Sequence, residues 1–246
     1  MDRPRGAGLG SVLAAHGHSV VAFDLRGHGE SGPSAREGAQ YTYDDYVLHD
    51  IPAIVKFVRE SFPHKRTVVV GHSLGAQTTL AMTGVFPEKS PDAIVSIAGN
   101  WWFPAIEPDP WMRLKKAAAL RTLLEISERW GYFDPRPFKQ GTDALALPYV
   151  RQLWLLWSTN RFGNTDGSID YWKGFEKIAI PVFSVAGDGD TFLAPPHAVE
   201  RFLAPIADRH KTLHVVKKSL GHMGLVTHAR SREVWEEIAD WIDQLE

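Results

Sequence analysis

A serine stands between two glycines in the segment Gly71-His72-Ser73-Leu74-Gly75, which fits the pattern G-x-S-x-G. The segment follows the apolar run 67–70 and precedes the run 76–82, which has helical character. A sharp strand-to-helix turn exposes a serine hydroxyl, and glycines relieve the contacts that such a turn imposes. The helix N-terminus also presents free N–H groups to a developing oxyanion. The pattern therefore predicts Ser73 as a nucleophile. The competing interpretation is a glycine-rich turn in which the serine has no role.

A serine hydroxyl needs a general base, and the base needs an acid that orients it. In a sheet of this kind these partners follow later strands, in the chain order serine, acid, histidine. Asp188 and Asp190 follow the apolar run 180–186, and His222 follows the run 212–216. An aspartate in a turn often serves only to form that turn. These residues alone leave the acid open between Asp188 and Asp190.

The chain has eleven histidines, so a single histidine carries little information. His222 differs from the others because it lies between glycines, after a strand and downstream of the candidate acid. His72 lies inside the turn, where we expect it to pack or to order the turn. For the following histidines we expect surface or core roles: His16, His49, His64, His197, His210, His214 and His228.

Apolar runs alternate with segments of helical periodicity along most of the chain. The runs predict buried strands at 20–23, 67–70, 93–98, 180–186 and 212–216. A capping-box pattern at 42–45 starts a helical segment, and further helices are predicted at 74–86, 112–130, 146–158, 196–207 and 229–245. This alternation predicts a parallel sheet flanked by helices. Residues 101–175 interrupt it with seven of the nine tryptophans, and we expect a helical insertion over the strand ends.

Four segments together resemble the α/β-hydrolase superfamily, most closely its lysophospholipase-, esterase- and aminopeptidase-like serine hydrolases. They are FDLRGHGES at 23–31, VVVGHSLG at 68–75, VAGDGD at 185–190 and GHMG at 221–224. The resemblance implies an α/β-hydrolase fold with Ser73 as nucleophile, Asp190 as acid and His222 as base. It implies that the backbone N–H of Leu74 is one oxyanion donor. It also divides the chain into a core, 1–100 and 176–246, and a tryptophan-rich helical cap, 101–175.

The N-terminal part departs from this superfamily, in which three strands precede the one predicted at 20–23. The third strand would lie between 20–23 and 67–70, and its loop supplies the second oxyanion donor. Only Gly6-Ala7-Gly8-Leu9-Gly10 and the end of a predicted helix at 11–15 precede that strand here. We therefore expect an N-terminally truncated version of the fold. The explanations are a natural protein with an earlier start, a reduced sheet whose flanking strands pair, or a damaged remnant. Residues 6–10 could supply the donor only by folding back over the turn.

Composition excludes several function classes. The net charge is −2, with 27 basic and 29 acidic residues and no long run of like charge, so nothing indicates nucleic-acid binding. The absence of cysteine excludes disulfides, thiolate metal sites and a cysteine nucleophile, and fits a reducing compartment. No apolar stretch reaches about 18 residues, so no membrane span is expected. The N-terminus lacks a convincing signal peptide. We expect a cytoplasmic protein that needs neither metal nor cofactor.

The favoured function is hydrolysis of a carboxylic ester or related acyl bond, with a small-molecule ester or acyl substrate. Acyl transfer or perhydrolysis by the same triad is an alternative within enzymes. A second hypothesis is a non-catalytic or impaired protein of this fold that binds a small apolar ligand or a partner. Trp101 and Trp102 follow a predicted strand end, so they are candidates for lining the substrate pocket. The residues do not predict an oligomeric state.

Overall fold

The computed structural model describes residues 8–138 and 141–245. Its strands, in chain order, are β1 Val68–His72, β2 Ala93–Ile97, β3 Tyr132–Phe133, β4 Leu145–Ala146, β5 Val182–Gly187 and β6 Lys211–Val216. The main sheet has the order β1-β2-β5-β6, and all of its pairings are parallel. The predicted parallel sheet is therefore confirmed, and four of the five predicted strands form within two residues of the expected positions.

The longer helices form near the positions that the sequence predicts, whereas the short helices Tyr171–Gly174 and Gly224–Thr227 are not predicted. They are α1 Leu9–Ala15, α2 Tyr43–Asp45, α3 Ile51–Ser61, α4 Leu74–Val85, α5 Pro110–Trp130, α6 Leu147–Ser158, α7 Tyr171–Gly174, α8 Pro196–Phe202, α9 Gly224–Thr227 and α10 Arg232–Asp243. A π-helical turn, Tyr46–Asp50, joins α2 to α3. The predicted capping box at the start of α2 is present, since Thr42 and Asp45 bond each other's backbone N–H.

Burial is greatest in the middle of the main sheet. Every residue of β2 and β5 is buried, as expected for strands that are paired on both sides and covered by helices. Helix α4 follows β1 and is buried from Ala76 to Gly84. The sheet and this helix therefore form a rigid base for the residues at the carboxyl ends of the strands.

The predicted buried strand at Val20–Phe23 is wrong. These residues form no strand, and Val20, Val21 and Phe23 are 45%, 37% and 44% exposed. The outer edge of β1, which faces this segment across a cavity, pairs with no strand of the described chain. An apolar, β-branched run favours a strand but cannot form one without a neighbour to accept its backbone hydrogen bonds.

The loop after this segment is held by charge and by hydrogen bonds. The Arg26 guanidinium donates to Asp45 and to Asp50, which lie at the start of the helical segment α2–α3. The Asp24 carboxylate accepts the backbone N–H of Glu30 across the loop. The motif FDLRGHGES therefore forms an ordered turn although the residues before it are not in a strand.

The part of the chain between β2 and β5 contains α5, α6, α7 and the antiparallel pair β3–β4. Helices α5 and α6 pack against each other. The C-terminal side differs slightly from prediction, since α8 ends at Phe202 and a turn replaces the expected helix to 207. No helix of the described chain combines the length and apolarity required to cross a membrane.

The glycine-rich segment at 6–10 was a candidate source of an oxyanion donor. Gly6 and Ala7 lie outside the described residues. Gly8 is the N-cap of α1, and Leu9 and Gly10 belong to that helix, which packs against α10. Leu9 and Gly10 nevertheless line the same large cavity as Ser73.

Candidate active site

Ser73 lies at the junction between β1 and α4, at the carboxyl end of the sheet. Its backbone has φ 51° and ψ −112°, a conformation that is costly for a residue with a side chain. The Ser73 N–H donates to the carbonyl of Ile97 in β2 at 2.9 Å, which holds the turn against the sheet. A strained serine at a strand-to-helix turn is the geometry in which its hydroxyl stands clear of the backbone.

The two glycines beside the serine differ in what they contribute. A Cβ on Gly71 would lie 2.5 Å from the backbone nitrogen of Ala76, so the turn requires glycine there. A Cβ on Gly75 would meet no described atom within 4 Å. The expectation that both glycines relieve steric clashes is therefore correct for Gly71 and wrong for Gly75.

Helix α4 begins at Leu74, so the first N–H groups of this helix point toward the end of the sheet without intrahelical acceptors. The backbone N–H of Leu74 is the first of them. The helix dipole adds partial positive charge at this end. This part of the structure therefore suits a group on which negative charge develops.

Asp190 follows β5 and is almost fully buried, with 4% of its surface exposed. Its Oδ1 accepts the backbone N–H of Leu193 at 2.9 Å, and its Oδ2 accepts that of Ala194 at 3.0 Å. Burial alone would raise the pKa of Asp190, but hydrogen bonds from His222 and from these two N–H groups lower it below its ordinary value. The carboxylate is therefore ionised and fixed in orientation.

His222 lies in the loop between β6 and α9, and its Nδ1 is 2.7 Å from Asp190 Oδ2. Because an ionised carboxylate can only accept, Nδ1 carries the proton of the neutral imidazole, and the lone pair of that neutral ring is on Nε2. Glycine allows the two loops to approach, since a Cβ on Gly189 would lie 2.6 Å from the carbonyl carbon of Ser219. The imidazole is thus held in the tautomer that a general base requires.

Asp188, the other candidate acid, has a different partner. It is exposed, and its Oδ1 accepts the backbone N–H of Ser219 at 2.7 Å. This hydrogen bond fastens the acid loop to the base loop. The structure therefore brings Asp190, and not Asp188, together with His222.

His72 contacts the candidate base, which sequence reasoning did not foresee. Its Nε2–H donates to the backbone carbonyl of His222 at 3.1 Å, and the two rings lie 4.8 Å apart between centroids. Burial lowers the pKa of His72 to about 4, and the neighbouring His222 acts in the same direction. His72 is therefore a neutral donor that fixes the base loop to the turn containing Ser73.

Ser73, Leu74 and His222 line one cavity of about 1550 Å³. Within the described residues, the Ser73 hydroxyl and the His222 imidazole make no hydrogen bond to each other. Hydrogen bonds between catalytic groups are often long or misaligned until substrate is bound. The cavity extends to Val20–Phe23 and to the outer edge of β1, so it includes the space beside that unpaired strand.

Trp101 and Trp102 both line this cavity but are held in different ways. Trp101 is 5% exposed and stacks on Phe162 with 5.5 Å between ring centroids, so most of its surface is core packing. Trp102 is partly exposed, and its Nε1–H donates to the carbonyl of Leu193 at 2.8 Å. Trp102 therefore touches the loop that holds Asp190.

Among the described residues, one group has the spacing of metal ligands: His16, just after the end of α1, with Asp240 and Asp243 on α10. Its histidine already contacts Asp243 at 3.0 Å and Glu236 at 2.9 Å. Hydrogen bonds that His16 donates to Asp243 and to Glu236 raise its pKa. The ion pairs account for the cluster without a metal.

The chain belongs to the alpha/beta hydrolase fold family, whose model matches residues 2–229. This result confirms the family resemblance and the predicted fold. No curated protein sequence matches the chain.

Solved structures of the same fold superimpose on most of the chain. A monoacylglycerol lipase from Paleococcus ferrophilus is 19% identical with a TM-score of 0.63, and the match covers 95% of this chain and 86% of the lipase. A structure reported for the metagenome-derived lipolytic enzymes LipS and LipT is 18% identical with a TM-score of 0.65, covering 96% and 86%. An E-2-(acetamidomethylene)succinate hydrolase is 17% identical with a TM-score of 0.54, covering 89% and 80%. At this identity the likeness establishes the fold, and the names of these proteins indicate different substrates.

Proposed function

We propose that this chain is a serine hydrolase that cleaves a carboxylic ester or a related acyl bond. The observation that carries the proposal is the 2.7 Å hydrogen bond from His222 Nδ1 to Asp190 Oδ2 at the cavity that contains Ser73. It is supported by the backbone strain at Ser73 and by the start of α4 at Leu74. Membership of a hydrolase-fold family and the lipolytic neighbours are consistent with it.

In the proposed acylation step, His222 Nε2 removes the Ser73 hydroxyl proton as Oγ bonds to the carbonyl carbon. The carbonyl electron pair moves to oxygen, and the N–H of Leu74 stabilises the resulting oxyanion. When the tetrahedral intermediate collapses, the bond to the leaving alcohol breaks and the alcohol takes the proton from His222. Asp190 stabilises the imidazolium and does not itself become protonated.

Deacylation repeats these steps with water in place of the serine. His222 removes a proton from water as the water oxygen bonds to the acyl carbon, and returns that proton to Ser73 Oγ when the ester bond breaks. The products are a carboxylic acid and the free enzyme. Acyl transfer or perhydrolysis would follow the same path with an alcohol or hydrogen peroxide as the attacking species.

The proposal is tested by hydrolysis of p-nitrophenyl acetate, butyrate and octanoate by the wild type and by Ser73→Ala. We expect turnover above the buffer rate in the wild type and a fall of at least about 10⁴-fold in the variant, because loss of a triad nucleophile removes covalent catalysis. Ser158→Ala, an exposed serine at the end of α6, is the matched control and should retain full activity. Equal rates for wild type and Ser73→Ala would contradict the proposal.

The size and apolar lining of the cavity bear on which acyl groups fit. Its volume of about 1550 Å³ includes the space beside the unpaired edge of β1, so only part of it adjoins Ser73 and His222. Much of its wall is aliphatic, including Leu13, Val55, Val69 and Leu153. We therefore expect the octanoate ester to be accepted at least as well as the acetate ester, as measured by kcat/KM.

A further inference from the structure

The orientation of the proposed acid depends on a short backbone turn. Both oxygens of Asp190 accept backbone N–H groups from its own loop, those of Leu193 and Ala194. This loop leaves β5 at Gly187 and enters α8 at Pro196. Any group that fixes the Leu193 peptide therefore also fixes the carboxylate that holds His222.

Trp102 fixes that peptide from the opposite side. Its Nε1–H donates to the carbonyl of Leu193 at 2.8 Å, and the N–H of the same peptide group, that of Ala194, donates to Asp190 Oδ2 at 3.0 Å. The Trp102 ring also meets the ring of Phe192 edge-on, with 5.0 Å between centroids. Two neighbouring residues of the acid loop are thus attached to one tryptophan.

A buried ion pair in turn holds Trp102. Lys116 Nζ lies 5.2 Å from the centre of the Trp102 ring, and it donates to Glu107 Oε2 at 2.8 Å. The side chains of Lys116 and Glu107 are each only 1% exposed. Burying two charges is costly unless the geometry of the pair is good, so this pair is a specific feature of the region.

The same ion pair reaches the acid loop by a second route. His197 Nε2 lies 3.4 Å from Glu107 Oε1, and His197 belongs to α8, which begins where the acid loop ends. Lys116 belongs to α5, the long helix of the segment between β2 and β5. Lys116 is therefore linked to the acid loop through Trp102, and to the start of α8, just after that loop, through Glu107 and His197.

We infer that Trp102 is a positioning residue for the proposed acid, and that the Glu107–Lys116 pair transmits the placement of α5 to it. The inference rests on the proposed function for its kinetic consequence. It gives Trp102 a role beyond the predicted one of lining the substrate pocket. A residue that contacts only substrate would affect KM, whereas one that positions the acid affects the proton transfer and therefore kcat.

Trp102→Phe is the direct test, because it keeps an aromatic ring and removes the N–H. We expect kcat for p-nitrophenyl butyrate to fall about 3- to 10-fold, the size of effect expected for one hydrogen bond, with KM changed less than about 2-fold. Trp111→Phe on α5 is the matched control, since Trp111 is 72% exposed, and it should behave as wild type. An increase in KM with unchanged kcat would overturn the inference.

The double variant Glu107→Gln/Lys116→Met tests the ion pair without leaving a buried charge unpaired. We expect its kcat to fall by a similar factor. Adding Trp102→Phe should produce little further loss, because groups that act through one contact are not additive. Additive losses would show that the pair and the tryptophan act independently, and would overturn this part of the inference.

Amide hydrogen exchange separates this inference from the proposed function. In Trp102→Phe we expect the amides of Leu193 and Ala194 to exchange at least about 10-fold faster than in Trp111→Phe, since the loop loses an anchor. If the wild type shows no Ser73-dependent turnover, the proposed function fails, and the exchange rates still decide whether Trp102 positions the loop. Unchanged exchange at both amides would overturn the inference.

Discussion

The two sides of the candidate site differ in strand pairing and in burial. On the side of the acid and base, β5 is paired with both β2 and β6 and is buried throughout. On the other side, the outer edge of β1 pairs with no strand of the described chain, and Val21 and Phe23 beyond it are partly exposed. The cavity described above, whose wall is largely apolar, lies between that edge and Val21 and Phe23.

The preorganised half of the site is therefore the half that contains Asp190 and His222. Both oxygens of Asp190 have hydrogen-bond partners, and His222 is fixed in one tautomer. In the proposed mechanism, oxyanion stabilisation depends on the start of α4, next to the open edge. Loss of one oxyanion donor costs about 10²–10³ in kcat, so the outer side of β1 controls the rate if a second donor belongs there. The proposed proton transfer depends instead on the side that contains Asp190 and His222, where β5 is paired with a strand on each edge.

The largest expected effect is a loss of kcat on substitution of Asp190, the proposed acid. Asp190→Asn should lower kcat by about 10⁴-fold, because the amide favours the wrong imidazole tautomer. Asp188→Asn is the matched control in the same turn, and we expect less than about 3-fold loss because the Asp188 carboxylate accepts the Ser219 N–H and does not contact His222. Steady-state hydrolysis of p-nitrophenyl butyrate measures both, with circular dichroism as the check of folding. A greater loss in Asp188→Asn would reverse the assignment of the acid.

A second effect concerns His72, which joins the nucleophile turn to the base loop. Its pKa is lowered from 6.5 to about 4, so the unfolded chain binds a proton at this position between these pH values and the folded chain does not. Stability should therefore fall as the pH falls from about 6.5 to 4, by about 3 kcal/mol from this residue at about 1.4 kcal/mol per unit.

Urea unfolding at several pH values from 7 to 4 measures this contribution as a difference between wild type and His72→Gln. Glutamine keeps an N–H donor for the His222 carbonyl but does not titrate. We expect the variant to lose less stability over this range than the wild type. Parallel curves for the two proteins would mean that His72 does not stay neutral in the folded state.

The smallest effect compares two valines, one from each side of β1. Val185→Ala in β5 removes methyl groups from a fully buried position and should cost about 2 kcal/mol of unfolding free energy. Val21→Ala, 37% exposed beside the open edge, should cost less than about 0.5 kcal/mol. Urea unfolding of both variants is the measurement. Equal costs would show that Val21 is buried in solution and that the open edge is covered.

The sequence predicts which residues meet at the candidate site better than it predicts the unpaired side of β1. Ser73 and His222 could be predicted because each has a glycine within two residues on either side and follows an apolar strand. The fold family could be found because four motifs occur in a characteristic order. Val20–Phe23 was predicted wrongly because its composition favours burial in a strand, whereas a strand also requires a hydrogen-bonding neighbour that a local pattern does not reveal.

The features of the site that the sequence does not predict depend on contacts between residues that are far apart in the chain. Asp188 and Asp190 lie in one turn, and only the fold decides which of them reaches His222. Lys116 is one of two adjacent lysines in a helix, and nothing in the local pattern indicates that it is buried against Glu107. Trp102 could be predicted at a strand end, but its hydrogen bond to Leu193 joins residues 91 positions apart.

The most direct test of the central claim, that Ser73 is activated by His222 and Asp190, is the intact mass of the protein after treatment with a fluorophosphonate. We expect one adduct on the wild type and none on Ser73→Ala, with slow labelling of Asp190→Asn. This result would show an activated serine whatever the natural substrate is. A folded wild type that forms no adduct, or an adduct that persists in Ser73→Ala, would contradict the account.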